Sequence, residues 1–137
     1  ATTEIYTLSL HDALPISEEV ETPFGRFTIK VFSYSGEKIL EKKYTKWFDC
    51  DKIKCGLSVR TRKTGDYLIV GRDGGRKKLT RCMIDDKFPK ETRDQVPLIA
   101  DGGEILWIIG GRISERYKIT SCTRNVLEIT YQGGTRL

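Results

Sequence analysis

Between Arg60 and Lys90 the chain carries ten lysines and arginines against four aspartates, an excess of six positive charges where the whole chain has a formal net charge of +5. Side chains of this kind neutralise phosphate oxygens and release the counterions condensed on a nucleic acid. Their spacing suggests a shared surface. Leu57-Ser58-Val59-Arg60-Thr61-Arg62 alternates, which places Ser58, Arg60 and Arg62 on one face of a strand. Lys63-Thr64-Gly65-Asp66 then turns the chain. Further on, the glycine-rich stretch Gly71-Arg72-Asp73-Gly74-Gly75 precedes Arg76, Lys77, Lys78 and Arg81. The period from Arg76 predicts that Lys77, Lys78 and Arg81 occupy adjoining positions of a helical turn. A loop feeding a helix start offers free N–H groups to an anion. The candidate phosphate-contacting residues of a nucleic-acid-binding face are Arg60, Arg62, Lys63, Arg76, Lys77, Lys78 and Arg81. A solvated strip of surface charge is the competing reading of the same residues.

Other chemistries fit less well. The run from Gly71 approaches the GxxxxGK[ST] phosphate loop, but that spacing requires glycine where Arg76 stands. Asp85 and Asp86 are adjacent, so on a helix they diverge instead of facing one another across a substrate, and ion-paired aspartates are the better reading. Cys50, Cys55, Cys82 and Cys122 form no CxxC pair and have no histidine near them. They are read as reduced thiols of a cytoplasmic protein and not as zinc ligands or disulfides. No apolar run approaches the roughly 20 residues that span a bilayer.

The elements that must position the basic residues follow from periodicity. Arg26–Phe32 alternates polar with apolar, as a half-buried strand does. Tyr44–Asp49, Leu57–Arg62, Tyr67–Val70, Leu98–Ala100, Ile105–Ile109, Tyr117–Thr120 and Val126–Tyr131 read as further strands. Leu79, Cys82, Met83 and Asp86 fall at helical spacing, with three of the four positions apolar, so a short helix runs to about Asp86. Pro89 opens a second short helix that stops before Pro97. The class is α+β, strand-rich, with two short central helices.

The first residues differ from the rest. No lysine or arginine occurs before Arg26, and Ala1–Ile16 resembles, residue for residue, one reading frame of a common sequencing-library adapter. On this reading 1–16 is adapter-derived and packs against nothing, and Ser17 begins a gene fragment cut at its 5′ end. Setting aside Glu4 and Asp12 leaves 24 basic and 17 acidic residues, a net charge of +7. The single histidine, His11, is set aside with them. That excludes Ser-His and Cys-His mechanisms and histidine metal sites from the remainder.

Several segments in order carry a resemblance. They are Val59–Asp66, Lys77-Lys78-Leu79, Ile84-Asp85, Lys87-Phe88-Pro89, Arg93–Leu98, Ile105–Gly110 and Arg112–Thr120. Together they resemble the C-terminal domain of bacterial tRNA(Ile)-lysidine synthetases, densely from Leu57 to Ile129, with Tyr44–Asp49 extending the likeness upstream. The departures are Tyr67 and Val70, where many members carry arginine and proline, and Gly111, where many carry an aromatic. The resemblance implies a fold shared with a domain of phenylalanyl-tRNA synthetase, and upstream strands over 17–56 leading into a C-terminal domain over 57–137. It implies tRNA(Ile) as partner and is compatible with a homodimer. It also implies an enzyme that uses ATP with magnesium to attach lysine to the wobble cytidine of a CAU anticodon. That chemistry belongs to an N-terminal domain with a serine-glycine-glycine-x-aspartate-serine loop, a motif this sequence does not contain. The stretch in hand would then hold tRNA without a cofactor or catalysis of its own. The alternative is a free-standing RNA-binding or protein-interaction module of the same fold.

Overall fold

Phe27, Ile29 and Val31 alternate with polar residues, so a strand through them buries one face and wets the other. The computed structural model describes residues 6–8, 16–39, 42–53 and 56–133, and it forms this strand as β3 (Gly25–Ser33). With strands numbered along the chain, β3 lies between β2 (Ile16–Thr22) and β10 (Asn125–Gly133), and β4 (Thr45–Asp49) lies beyond β10. All three pairings are antiparallel. The register sets Ile129 opposite Ile29, and Leu127 opposite both Val31 and Phe48. The apolar alternations therefore meet on one face, where Phe27, Ile29, Phe48, Leu127 and Ile129 are at most 1% exposed.

This sheet belongs to one of two compact units, drawn from Leu10–Ile53 and Tyr117–Leu137; the other is drawn from Ala1–Ser9 and Lys54–Arg116. The basic stretch lies in the second of these. Its sheet runs in the order β1 (Tyr6–Leu8), β5 (Leu57–Arg60), β8 (Leu98–Asp101), β9 (Glu104–Ile108), β6 (Tyr67–Ile69) and β7 (Arg76–Lys78). Only the β6–β9 pairing is parallel. Helix α1 (Leu79–Asp85) turns Leu79, Cys82 and Met83 onto Leu68, Leu98, Ala100, Ile105 and Ile108, as the i, i+3, i+4 spacing requires. The helix ends with Lys87 N donating to Ile84 O and Phe88 N to Met83 O, while Lys87 takes a φ of 64°. These two bonds are those of a Schellman cap, here with lysine in the left-handed position that glycine usually takes. The cap folds Phe88 back against the core.

Three expectations are corrected. The helix does not begin at Arg76. Arg76–Lys78 is a strand, because Val70 N bonds to Gly75 O at 2.9 Å and the Gly71–Gly75 loop closes a hairpin, Tyr67 opposite Lys78 and Ile69 opposite Arg76. Turn chemistry overrides the helical period there. The second helix is only a 3-10 turn, Lys90–Thr92. Tyr117–Thr120 is not a strand. It leaves a 3-10 turn (Glu115–Tyr117), and Thr120 N donates to Thr123 Oγ1 at 2.9 Å, a local bond that competes with a ladder.

Of the first sixteen residues the structure describes 6–8 and 16. Tyr6–Leu8 pairs with Leu57–Val59 and covers the edge of β5, and Ile16 is already the first residue of β2, opposite Val31. His11 and Cys55 lie outside the described residues.

Candidate nucleic-acid interface

Arg60 is not at the surface. Its side chain is 3% exposed, as is that of Asp66, and the two form a bidentate pair at 2.8 Å for both bonds. The guanidinium also donates to Thr61 O and Gly102 O, both at 3.0 Å, while Asp66 Oδ2 accepts from Lys63 N at 2.8 Å. Arg60 therefore holds the Lys63–Asp66 turn against the turn between β8 and β9, and both of its terminal nitrogens are spent inside the protein. The alternation that set Arg60 beside Arg62 assumes a wet face, but β5 is flanked on both sides by strands and both of its faces are covered. The clue in the sequence was Asp66, six residues on, in a turn that brings it back to Arg60.

Three of the six remaining candidates have carboxylate partners. Arg62 Nε donates to Asp94 Oδ1 at 2.6 Å. Lys77 pairs with Asp85, and Arg81 reaches the other oxygen of Asp85 at 3.7 Å. Lys77 holds the Asp85 carboxyl below its ordinary pKa through that hydrogen bond. Asp86, at the end of α1, accepts from Arg112 Nε at 2.7 Å and Nη2 at 2.6 Å. The adjacent aspartates are thus ion-paired with different partners.

The Asp86–Arg112 pair has a pH signature. Hydrogen bonding from Arg112 holds the Asp86 carboxyl below its ordinary value of 3.8. A carboxyl depressed in the folded state contributes stability above its unfolded pKa, and that contribution is lost as pH falls through the folded pKa. Arg112→Met should therefore be less stable than the parent at neutral pH, with the gap closing as pH drops below about 4. Urea unfolding at a series of pH values measures this. A gap that persists undiminished to about pH 2 would show that the pair contributes nothing through Asp86 ionisation.

Three of the candidates carry uncompensated charge. Lys63 and Lys78 are exposed and have no side-chain partner among the described residues, and Arg76 is exposed with its guanidinium 4.4 Å from the centre of the Tyr67 ring. Two contacts set the Lys63 turn beside Lys78, and Arg76 lies two residues from Lys78 on the same strand. Leu79 N donates to Asp66 O at 3.0 Å, setting the Lys63 turn against the start of α1, and Tyr67 pairs with Lys78. The glycine-rich loop is not a nucleotide cradle. Asp73 Oδ1 folds back onto Gly75 N at 3.1 Å, so the loop's own carboxylate sits where a phosphate would be needed, and the loop feeds a strand.

Cys50 and Cys82 are held as thiols by burial. Cys82 lies in the core and burial raises its pKa, while burial pushes Cys50 up to about 11, so both stay thiols near neutral pH. Cys122 is exposed. No helix among the described residues is long and apolar enough to cross a membrane.

A family model for the TilS substrate C-terminal domain matches residues 57–129, more than half of the chain. The chain belongs to this family. The match covers β5 through most of β10, and with it every candidate contact residue. A tRNA(Ile)-lysidine synthase of Clostridium tetani is 47% identical over 90 residues, which cover 66% of this chain and 19% of that protein. One from Caldanaerobacter subterraneus is 42% identical over 108 residues, covering 78% of this chain and 23% of its own. The chain spans about a fifth of the length of these relatives. A solved structure, the crystal structure of a TILS C-terminal domain, shares the fold of this TilS substrate C-terminal domain. Its TM-score is 0.71 at 24% identity, covering 98% of this chain and 100% of that one.

Proposed function

We propose that this chain holds tRNA(Ile) for a tRNA(Ile)-lysidine synthase and does not carry out the ligation itself. The family match over 57–129, joined to relatives of that name, carries the reading. The uncompensated cations Lys63, Arg76 and Lys78 support it, since they offer a phosphate-binding edge. In this reading lysine and MgATP are handled by another part of the enzyme, which modifies the wobble cytidine of the CAU anticodon. Within this chain, neither the Gly71–Gly75 loop nor any serine-glycine-glycine-x-aspartate-serine motif offers a place for the nucleotide.

Replacing the C-terminal region of the Clostridium tetani enzyme with residues 16–133 of this chain, which keep β2 and β3 with β10, tests the proposal. The chimera should form lysidine on tRNA(Ile) with a KM near that of the parent, whereas the 137-residue chain alone should form none and release no pyrophosphate. A folded chimera no better than the enzyme lacking its C-terminal region would overturn the tRNA-holding role. Turnover by the chain alone would overturn the assignment of catalysis elsewhere.

A further inference from the structure

Arg76 differs from the other arginines of its unit. Arg60, Arg62, Arg81, Arg112 and Arg116 each face a carboxylate, and Arg93 donates to Phe88 O. Arg72 is exposed in a loop with neither an acidic nor an aromatic partner among the described residues. Arg76 instead lies over the Tyr67 ring at 4.4 Å, with no carboxylate in ion-pair range among the described residues. The hairpin register explains this. Tyr67 is opposite Lys78 and Ile69 is opposite Arg76, so Tyr67 and Arg76 are diagonal neighbours on one face, within reach of long side chains. Glu104, beside Tyr67 in the parallel register, is already engaged: it accepts from Arg116 Nε at 2.7 Å. A guanidinium stacked on a ring is held in place while its in-plane N–H donors stay free. A guanidinium paired with a carboxylate is held too, but its charge is neutralised.

We propose that Tyr67 is a positioning residue that orients Arg76 for a bidentate contact with an RNA phosphate, with Lys78 as the second cation of the same contact. This rests on the reading of the chain as a tRNA-holding domain, and it names the place on the domain where the backbone is gripped. Tyr67 also accounts for the way this chain supports the contact, because a ring at this position immobilises an arginine from the neighbouring strand. Removing the ring leaves the charge but frees the guanidinium, so the ordering has to be done on binding.

Fluorescence anisotropy with labelled tRNA(Ile), titrated with the full chain at several salt concentrations, separates the roles. Arg76→Ala should weaken binding and lower the slope of log affinity against log salt by about 0.7 to 0.9, the polyelectrolyte value for one phosphate contact. Tyr67→Leu should weaken binding about two- to five-fold at fixed salt, the range expected from an exposed cation–π contact, and leave the slope unchanged. Tyr67→Phe should bind as the parent does. Thermal melts of each variant exclude loss of fold as the cause. If the chain binds no tRNA, the tRNA-holding reading falls and this inference with it. If the chain binds but folded Arg76→Ala matches the parent, the inference alone falls. Parent-like binding by Tyr67→Leu, or a lowered slope, would remove Tyr67 from the role.

Discussion

Arg60→Ala will cost the fold about 3 to 5 kcal/mol, the range for removing one partner of a buried ion pair. The reason is the charge left behind. Asp66, 3% exposed, would keep only the Lys63 N–H for its carboxylate, and Thr61 O and Gly102 O would lose their donor. Against a total stability of about 5 to 15 kcal/mol, that is enough to leave the unit marginal. Arg60→Met with Asp66→Leu should recover part of the loss, because no charge is then stranded, but not all of it, since three backbone groups still lack partners. Urea unfolding of the parent, the single and the double variants measures the differences. A single-variant loss under about 1 kcal/mol would mean that water reaches the pair and that Arg60 does not anchor the turn.

Arg60 also marks where the residue pattern stopped being informative. Apolar residues at every second position, or an unbroken apolar run bounded by turns, correctly located β3, β8, β9 and β10, and the short aromatic run of Tyr44–Asp49 located β4. The same rule misread Leu57–Arg60, where the residues between the apolar positions are also covered: Ser58 is half-buried and Arg60 buried. Whether a polar residue in a strand faces water depends on what lies over it, and period alone does not encode that. Arg76–Lys78 was missed for another reason. Three consecutive basic residues carry no alternation, and the strand is created by the hairpin loop and by Tyr67–Ile69 across from it. Helix α1 was legible on its buried side, through Leu79, Cys82 and Met83, but its start was not, because Lys78 is extended, with φ −62° and ψ 140°. The charge cluster was visible as composition. Which cations are compensated was not, since Lys77 and Lys78 are neighbours in sequence and only Lys77 reaches Asp85.

That split between neighbours gives the second large effect, on tRNA binding. Lys63→Ala with Lys78→Ala should lower the salt slope by about 1.4 to 1.8, roughly 0.7 to 0.9 for each phosphate that is no longer neutralised. Between 50 and 200 mM salt this changes the affinity drop by about tenfold. Asp85→Asn should act in the opposite sense. It releases Lys77 and Arg81 from their shared carboxylate, so affinity at low salt should rise and the slope should steepen. Lys30 and Lys38 lie in the other unit and outside the cluster, and both are exposed. Replacing this pair with alanine removes the same formal charge and is the control. A merely solvated strip of charge predicts equal losses from the two double variants and no gain from Asp85→Asn beyond that of its net charge. A localised edge predicts that the Lys63–Lys78 variant loses more than the Lys30–Lys38 variant, and that Asp85→Asn binds tighter than the parent. Anisotropy titrations of labelled tRNA(Ile) across this salt range decide between them, and equal slopes for the two double variants would remove the edge at Lys63 and Lys78 as a binding site.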